Sequence, residues 1–278
     1  MKYILVPTDF SDNSWNALAY SIQLFKNQAC TFYMLHVGDL GDSAIHGNSF
    51  TLPLERISVS IKQKLKLLFD RIKELPINEE HHFIALQEYG NFIDIVRSTV
   101  AARKIDIIVM GTKGASGIKA AIVGSNTGDV ITKVACTVLV IPENAIITIP
   151  KKIAFATDYT LFYTYPILAT LTDILKISNS TLHVLNVSQP STDLTLPQTQ
   201  NKAYLKDYLD ETFPHVHFFQ NLSKHRKKAS MLTYVSENGI DMLTVVAKNL
   251  NFFQRLLFDT TIKKLSFHTT VPLLVLHE

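Results

Sequence analysis

Four short apolar segments occur twice in this chain, in the same order, and that repetition constrains the fold more than any other feature. Ile4-Leu5-Val6-Pro7-Thr8-Asp9 returns as Ile153-Ala154-Phe155-Ala156-Thr157-Asp158, each an apolar run closing in Thr-Asp. Thr31-Phe32-Tyr33-Met34-Leu35-His36-Val37 returns as Thr181-Leu182-His183-Val184-Leu185-Asn186-Val187. Ile105 to Met110 returns as Ile240 to Val245, and Cys136 to Ile141 as Val271 to Leu276. Conserved order across an internal repeat marks the second half as a diverged copy of the first. The boundary falls between Pro142 and Pro150, where two prolines bracket a short connection, so the expected units are residues 1–146 and 147–278.

Within a half, short β-branched apolar runs alternate with longer amphipathic stretches. In the first half the runs lie near 3–7, 31–37, 82–88, 105–110 and 137–141. Runs of this kind predict strands buried on both faces, as in a parallel sheet. Helices fit between them. The group Ser11, Asp12, Asn13 and Ser14 can cap the first, which extends to about Asn27. Residues 56–75 carry a long amphipathic pattern, Asn91 after Gly90 can cap a helix to about Arg103, and 126–134 form a short last helix. Alternation of this type gives βαβ units with right-handed crossovers in an open α/β sheet. Such sheets bind ligands beyond the C-terminal ends of their strands, at the topological switch point.

The segment richest in chemistry follows the fourth strand: Met110-Gly111-Thr112-Lys113-Gly114-Ala115-Ser116-Gly117, continuing to Val123-Gly124-Ser125-Asn126-Thr127. Gly111 and Gly114 remove Cβ atoms where a backbone could approach a phosphate closely. Gly124-Ser125-Asn126-Thr127 opens the last helix, whose free N–H groups and positive dipole end make an anion site. Read alone, a glycine loop is equally a tight turn after a strand. With its spacing of Gly, two residues, Gly, nine residues, Gly, Ser directly after an Asp-Ile-Ile-Val-Met strand, the sequence resembles the universal stress protein family, whose nucleotide-binding members carry that spacing. The likeness extends over both halves, and in the first it includes Asp9 and the strand ending His36-Val37.

The resemblance implies two tandem five-stranded parallel-sheet α/β sandwiches of the adenine nucleotide α-hydrolase-like class. Their strand order would be 3-2-1-4-5, and the halves would pair about a pseudo-twofold axis through their last strands, 137–141 and 271–276. It also implies an ATP-type nucleotide. Pro7, Thr8 and Asp9 would lie at the nucleoside, Val37 beside the adenine, and Met110 and Gly111 beside the ribose. Gly114, Gly124, Ser125, Asn126 and Thr127 would surround the phosphates. Asp9 has a second reading, as a cap of the first helix, and the two are compatible. Magnesium would enter only with ATP, since no metal motif accompanies the site.

The second half departs from this pattern. Counting back from the shared last strand, Gly111 becomes Val246, Gly114 Asn249, Gly124 Asp259 and Ser125 Thr260. Side chains occupy positions that were bare, and a carboxylate at 259 would repel phosphate. Asp158 survives, where it reads as a helix cap. Residues 250–258 are bulky and apolar, packed against the other half or plugging the former phosphate pocket. The expectation is therefore nucleotide in the first half only.

Other features exclude function classes. A net charge of +3 does not make a nucleic-acid binder. Two cysteines, Cys30 and Cys136, exclude a disulfide framework and read as structural. The first apolar run is too short for a signal peptide and no stretch reaches a membrane span, so a cytoplasmic setting without membrane contact is expected. His81-His82 and the pair His215 and His217 lack the Cys or carboxylate that would complete a metal set. Lys224-His225-Arg226-Lys227-Lys228 reads as a solvated helix face. No Gly-x4-Gly-Lys-Ser/Thr phosphate loop and no Gly-x-Ser-x-Gly elbow occur. The expected function is a regulatory or stress-response protein that binds ATP, at most with slow hydrolysis or autophosphorylation. The alternatives are an interaction module with a vestigial site, and a weak ATPase. A homodimer is compatible with the apolar surface near 250–258.

Overall fold

The computed structural model of the chain describes residues 1–38, 54–112, 125–187, 193–213, 216–222, 227–247 and 271–277. In the first half the elements are β1 (Lys2–Pro7), α1 (Asp12–Leu24), β2 (Cys30–Gly38), α2 (Leu54–Lys73) and β3 (His81–Tyr89). They continue with α3 (Phe92–Arg103), β4 (Ile107–Gly111), α4 (Ser125–Lys133) and β5 (Thr137–Ile141). In the second half they are β6 (Lys152–Thr157), α5 (Tyr165–Ser178), β7 (Thr181–Asn186), α6 (Leu196–Thr212), β8 (His217–Asn221), α7 (Lys227–Asn238), β9 (Met242–Val246) and β10 (Leu273–Leu276).

The strands form one ten-stranded sheet in the order β3-β2-β1-β4-β5-β10-β9-β6-β7-β8. Each half thus has the order 3-2-1-4-5 that the resemblance implied. Every strand pairing is parallel except the one joining the halves, where β10 runs antiparallel to β5 with Leu274 opposite Leu139.

Side-chain alternation along the strands splits the core into two layers, each continuous across the seam. Ile4, Val6, Leu139, Ile141, Leu274, Leu276, Ile153 and Phe155 face α1, α2, α5 and α6. Leu5, Val138, Val140, Leu273, Val275, Ala154 and Ala156 face α3, α4 and α7. Burial on both faces explains why these strands read as unbroken apolar runs.

The repeated Ile-Asp pair before β4 and β9 has a structural use. The Asp106 carboxylate accepts from the Tyr3 N–H at 2.7 Å, and the Asp106 N–H donates back to the Tyr3 carbonyl at 2.8 Å. Asp241 repeats this on Lys152, at 2.9 Å in both directions. Each aspartate therefore fixes the register of a central strand at its start, and β4 begins at Ile107 instead of Ile105.

Helix α1 ends at Leu24, where the Phe25 N–H closes on the Ser21 carbonyl at 3.0 Å, short of the expected Asn27. Its cap is Ser11, whose hydroxyl accepts from the Ser14 N–H at 3.3 Å. Asp9 is not the cap. Asn91 caps α3 as expected, accepting from the N–H groups of Ile93 and Asp94.

Leu274 is fully buried in a layer that both halves share. Leu274→Ala should destabilise the chain by about 2–5 kcal/mol through lost burial and a residual cavity. Urea unfolding followed by circular dichroism should show one cooperative transition shifted as a whole. Two separated transitions would show that the layers are not continuous.

Candidate functional site

Strand β1 lies between β2 and β4, so the chain direction switches sides there. A cleft of about 160 Å³ opens beyond the C-terminal ends of these three strands. It is lined by Pro7, Thr8, Asp9, Val37, Met110, Gly111, Ser125, Asn126 and Thr127, every described residue of the set named from sequence. Gly114 and Gly124 lie outside the described residues. Ser14, Leu35, His36 and Phe92 also line the cleft. Phe92 had a legible signal, since the Asn91 cap starts α3 at the same sheet edge. Ser14 had none beyond its place in the capping group.

The turn after β1 is held by a chain of hydrogen bonds. The Phe10 N–H donates to the Thr8 hydroxyl at 3.0 Å, and the Ser14 hydroxyl donates to the Ser11 carbonyl at 2.9 Å. The 3.0 Å contact between the Thr8 and Ser14 hydroxyls then has Thr8 as donor, because the Ser14 proton is committed to a carbonyl. Asp9 accepts from the Ser11 N–H at 3.0 Å and from the Ser11 hydroxyl at 2.6 Å. Phe10 sits in the left-handed region at φ 64, which a bulky side chain adopts only when its surroundings impose it. The imidazole of His36 supplies part of that surround. Its Nδ1 donates to the Thr8 carbonyl at 2.9 Å, and its ring lies 4.7 Å from that of Phe10.

The second half repeats this turn residue for residue. Tyr159 has φ 59, its N–H donates to the Thr157 hydroxyl at 3.0 Å, and Asp158 accepts from the Thr160 N–H and hydroxyl at 3.1 and 2.7 Å. Asp158 does not cap α5, whose N-cap is Thr164. The Thr-Asp repeat is thus a turn device common to both halves. At the sixth residue beyond the threonine the halves diverge. Ser14 meets Thr8, whereas the Tyr163 hydroxyl meets Thr157 and its ring is buried beside Phe155.

The fourth strands diverge as well. Gly111 pairs with Ile141, the last residue of β5, and Val246 pairs with Leu276, the last of β10, so the two are equivalent. A Cβ on Gly111 would lie 2.7 Å from Cγ and Nδ2 of Asn13, whose side chain is buried against it. The bare Cα of this glycine admits the Asn13 side chain. The Thr127 hydroxyl donates to the Gly111 carbonyl at 2.8 Å, tying the first turn of α4 to the end of β4. Asn249, Asp259, Thr260 and the stretch 250–258 lie outside the described residues.

Of the remaining sequence candidates, Cys30, Cys136 and His81 are buried side chains. Burial pushes the Cys30 thiol up to about 11 and that of Cys136 up to about 12, which keeps both protonated near neutrality. His81 is buried, with Nε2 3.2 Å from the Phe25 carbonyl, and burial lowers its pKa. His217 contacts Asp210 at 3.0 Å, and His215 lies outside the described residues. Lys224, His225 and Arg226 also lie outside them. Among the described residues no three His, Cys, Asp or Glu side chains gather as a metal site, and no helix is long and apolar enough to cross a membrane.

A mostly parallel sheet with a cleft at its switch point, flanked by a glycine strand end and a helix start, defines an α/β fold of the doubly wound class. The chain belongs to the universal stress protein family, whose family model matches residues 1–142. It is 28% identical over 151 residues to a universal stress protein of Methanocaldococcus jannaschii, an alignment covering 54% of this chain and 84% of that one. The structure of a universal stress protein from Archaeoglobus fulgidus superposes with a TM-score of 0.70 at 17% identity, covering 99% of this chain and 98% of that one. A functionally unknown protein from Pseudomonas aeruginosa shares the fold at a TM-score of 0.56 and 14% identity, over 99% and 92% of the two chains.

Gly111→Ala should cost about 1–3 kcal/mol, the scale of overpacking a tight site. In an Asn13→Ala background, where the space is vacated, the cost should fall to less than half. Chemical denaturation of the four proteins of this cycle measures it. Equal costs in both backgrounds would show that Asn13 is not what the glycine accommodates.

Proposed function

We propose that this chain binds one adenine nucleotide, with ATP as the first candidate, in the cleft of residues 1–146. Residues 147–278 act as a degenerate copy that binds none, and the protein serves a regulatory or stress-response role. The observation that carries the reading is the convergence of the described sequence-predicted residues on one cleft, with Val246 and Tyr163 replacing Gly111 and Ser14 in the other half.

The residues present fit such a ligand. Val37, Phe92 and Met110 offer apolar surface for a planar base. Asp9 offers a carboxylate acceptor for a ribose hydroxyl, and the start of α4 at Ser125 and Asn126 offers donors and a positive dipole end for phosphate. Thr127 has committed its proton to the Gly111 carbonyl, so its part is to hold α4 in place. The hydroxyls of Thr8 and Ser14 are likewise engaged within the turn. The functional asymmetry is supported by comparison: the Thr-Asp turn and the strand order are common to both halves, whereas Val246 and Tyr163 stand where the first half has Gly111 and Ser14. The pairing of β5 with β10 supports reading the two halves as an internal dimer.

Titration calorimetry with ATP should give a stoichiometry of one per chain. Asp9→Ala should weaken binding by about tenfold or more, corresponding to about 1–3 kcal/mol for a lost hydrogen bond to a charged group. A stoichiometry of two, or no binding at all, would contradict the reading. The second outcome would favour an interaction module with a vestigial site.

A further inference from the structure

We propose that the outer edge of β3 is a self-association surface, and that two copies of this chain pair their β3 strands antiparallel about a twofold axis centred on Ala85. β3 is the terminal strand on its side of the sheet, and among the described residues its ladder partner is β2 alone. At nine residues it is much longer than β8, the five-residue strand at the opposite end. Its sequence, His81 to Tyr89, contains no Lys, Arg or Pro, and its one formally charged residue, Glu88, stands near its end.

The backbone direction follows from the ladder. The Cys30 N–H donates to the Glu80 carbonyl at 3.2 Å and the Gly90 N–H to the Gly38 carbonyl at 3.3 Å. With the unbroken register between β2 and β3, the even-numbered residues from 80 to 90 turn their backbone groups toward β2. Phe83, Ala85 and Gln87 therefore turn theirs outward. An antiparallel mate must match outward residues with outward residues. Centring the pair on Ala85 does so, placing Phe83 opposite Gln87 and Ala85 opposite its own copy.

The same register places the even-numbered side chains in close, non-hydrogen-bonded pairs. Ile84 faces Leu86 of the second copy, and His82 faces Glu88. Ile84 is 41% exposed, His82 and Glu88 are exposed, and Leu86 is half-buried. Apolar meets apolar, and an imidazole that can donate meets a carboxylate, twice by symmetry. That self-complementarity selects a second copy over an unrelated strand. The chain already closes one pair of its own edges antiparallel, where β5 meets β10.

The test uses the full chain. Sedimentation equilibrium of the wild type should show a species of twice 31.3 kDa that dissociates on dilution. Ile84→Lys, which changes an exposed side chain, should weaken the association by about tenfold or more. Ala85→Cys should form an intermolecular disulfide under mild oxidation, because only this register brings residue 85 within disulfide reach of its own copy. Circular dichroism of each variant should match the wild type. A wild type that stays monomeric at its solubility limit would overturn the proposal. So would a dimer that Ala85→Cys does not cross-link and Ile84→Lys does not weaken.

Discussion

The antiparallel pairing of β5 with β10 is the contact on which the rest of the architecture depends. A parallel α/β sheet must cover both faces with helices, and it leaves an apolar last strand exposed at one edge. Here the last strand of each half covers that of the other. Val138, Leu139 and Val140 meet Val275, Leu274 and Leu273 at the seam. Because alternate side chains go to opposite faces, this one ladder joins both apolar layers, so neither layer ends where a half ends. Further links cross the halves at the surface, such as Lys2 with Asp173 at 2.9 Å, but exposed ion pairs of this kind add little.

Comparing the halves separates what the fold needs from what a ligand would need. The Thr-Asp-aromatic turn with its left-handed third residue, and the aspartate that fixes the start of the central strand, occur in both. Their retention beside Tyr163 and Val246 assigns them to the backbone. What the first half has in place of Tyr163 and Val246 is a small residue at position 14 and a bare Cα at 111 filled by Asn13.

Much of this was legible in the sequence. Strand positions, strand order and the convergence of the described site residues followed from apolar periodicity, turn spacing and family resemblance. The Asn91 cap was legible because its partners lie within three residues. Less legible were features that depend on contacts distant in sequence. The contact of Asn13 with Gly111 joins α1 to β4, and no local pattern shows it. Asp9 and Asp158 were ambiguous because an aspartate before a helix can bond the second residue onward or cap the helix itself. In both halves the serine or threonine two residues later engages one oxygen of the aspartate, Oδ1, through its N–H and its hydroxyl. Tyr163 was missed because its partner Thr157 looked identical to Thr8.

The central claim is that one cleft of two is open to a nucleotide. Amide hydrogen exchange with and without saturating ATP tests it most directly. The account predicts added protection in the turn 8–14, at 36–38, at 110–112 and in the first turn of α4. It predicts no change at 157–163, 186–187 and 246–247. Comparable protection of the second-half segments, or none in the first-half segments, would contradict it.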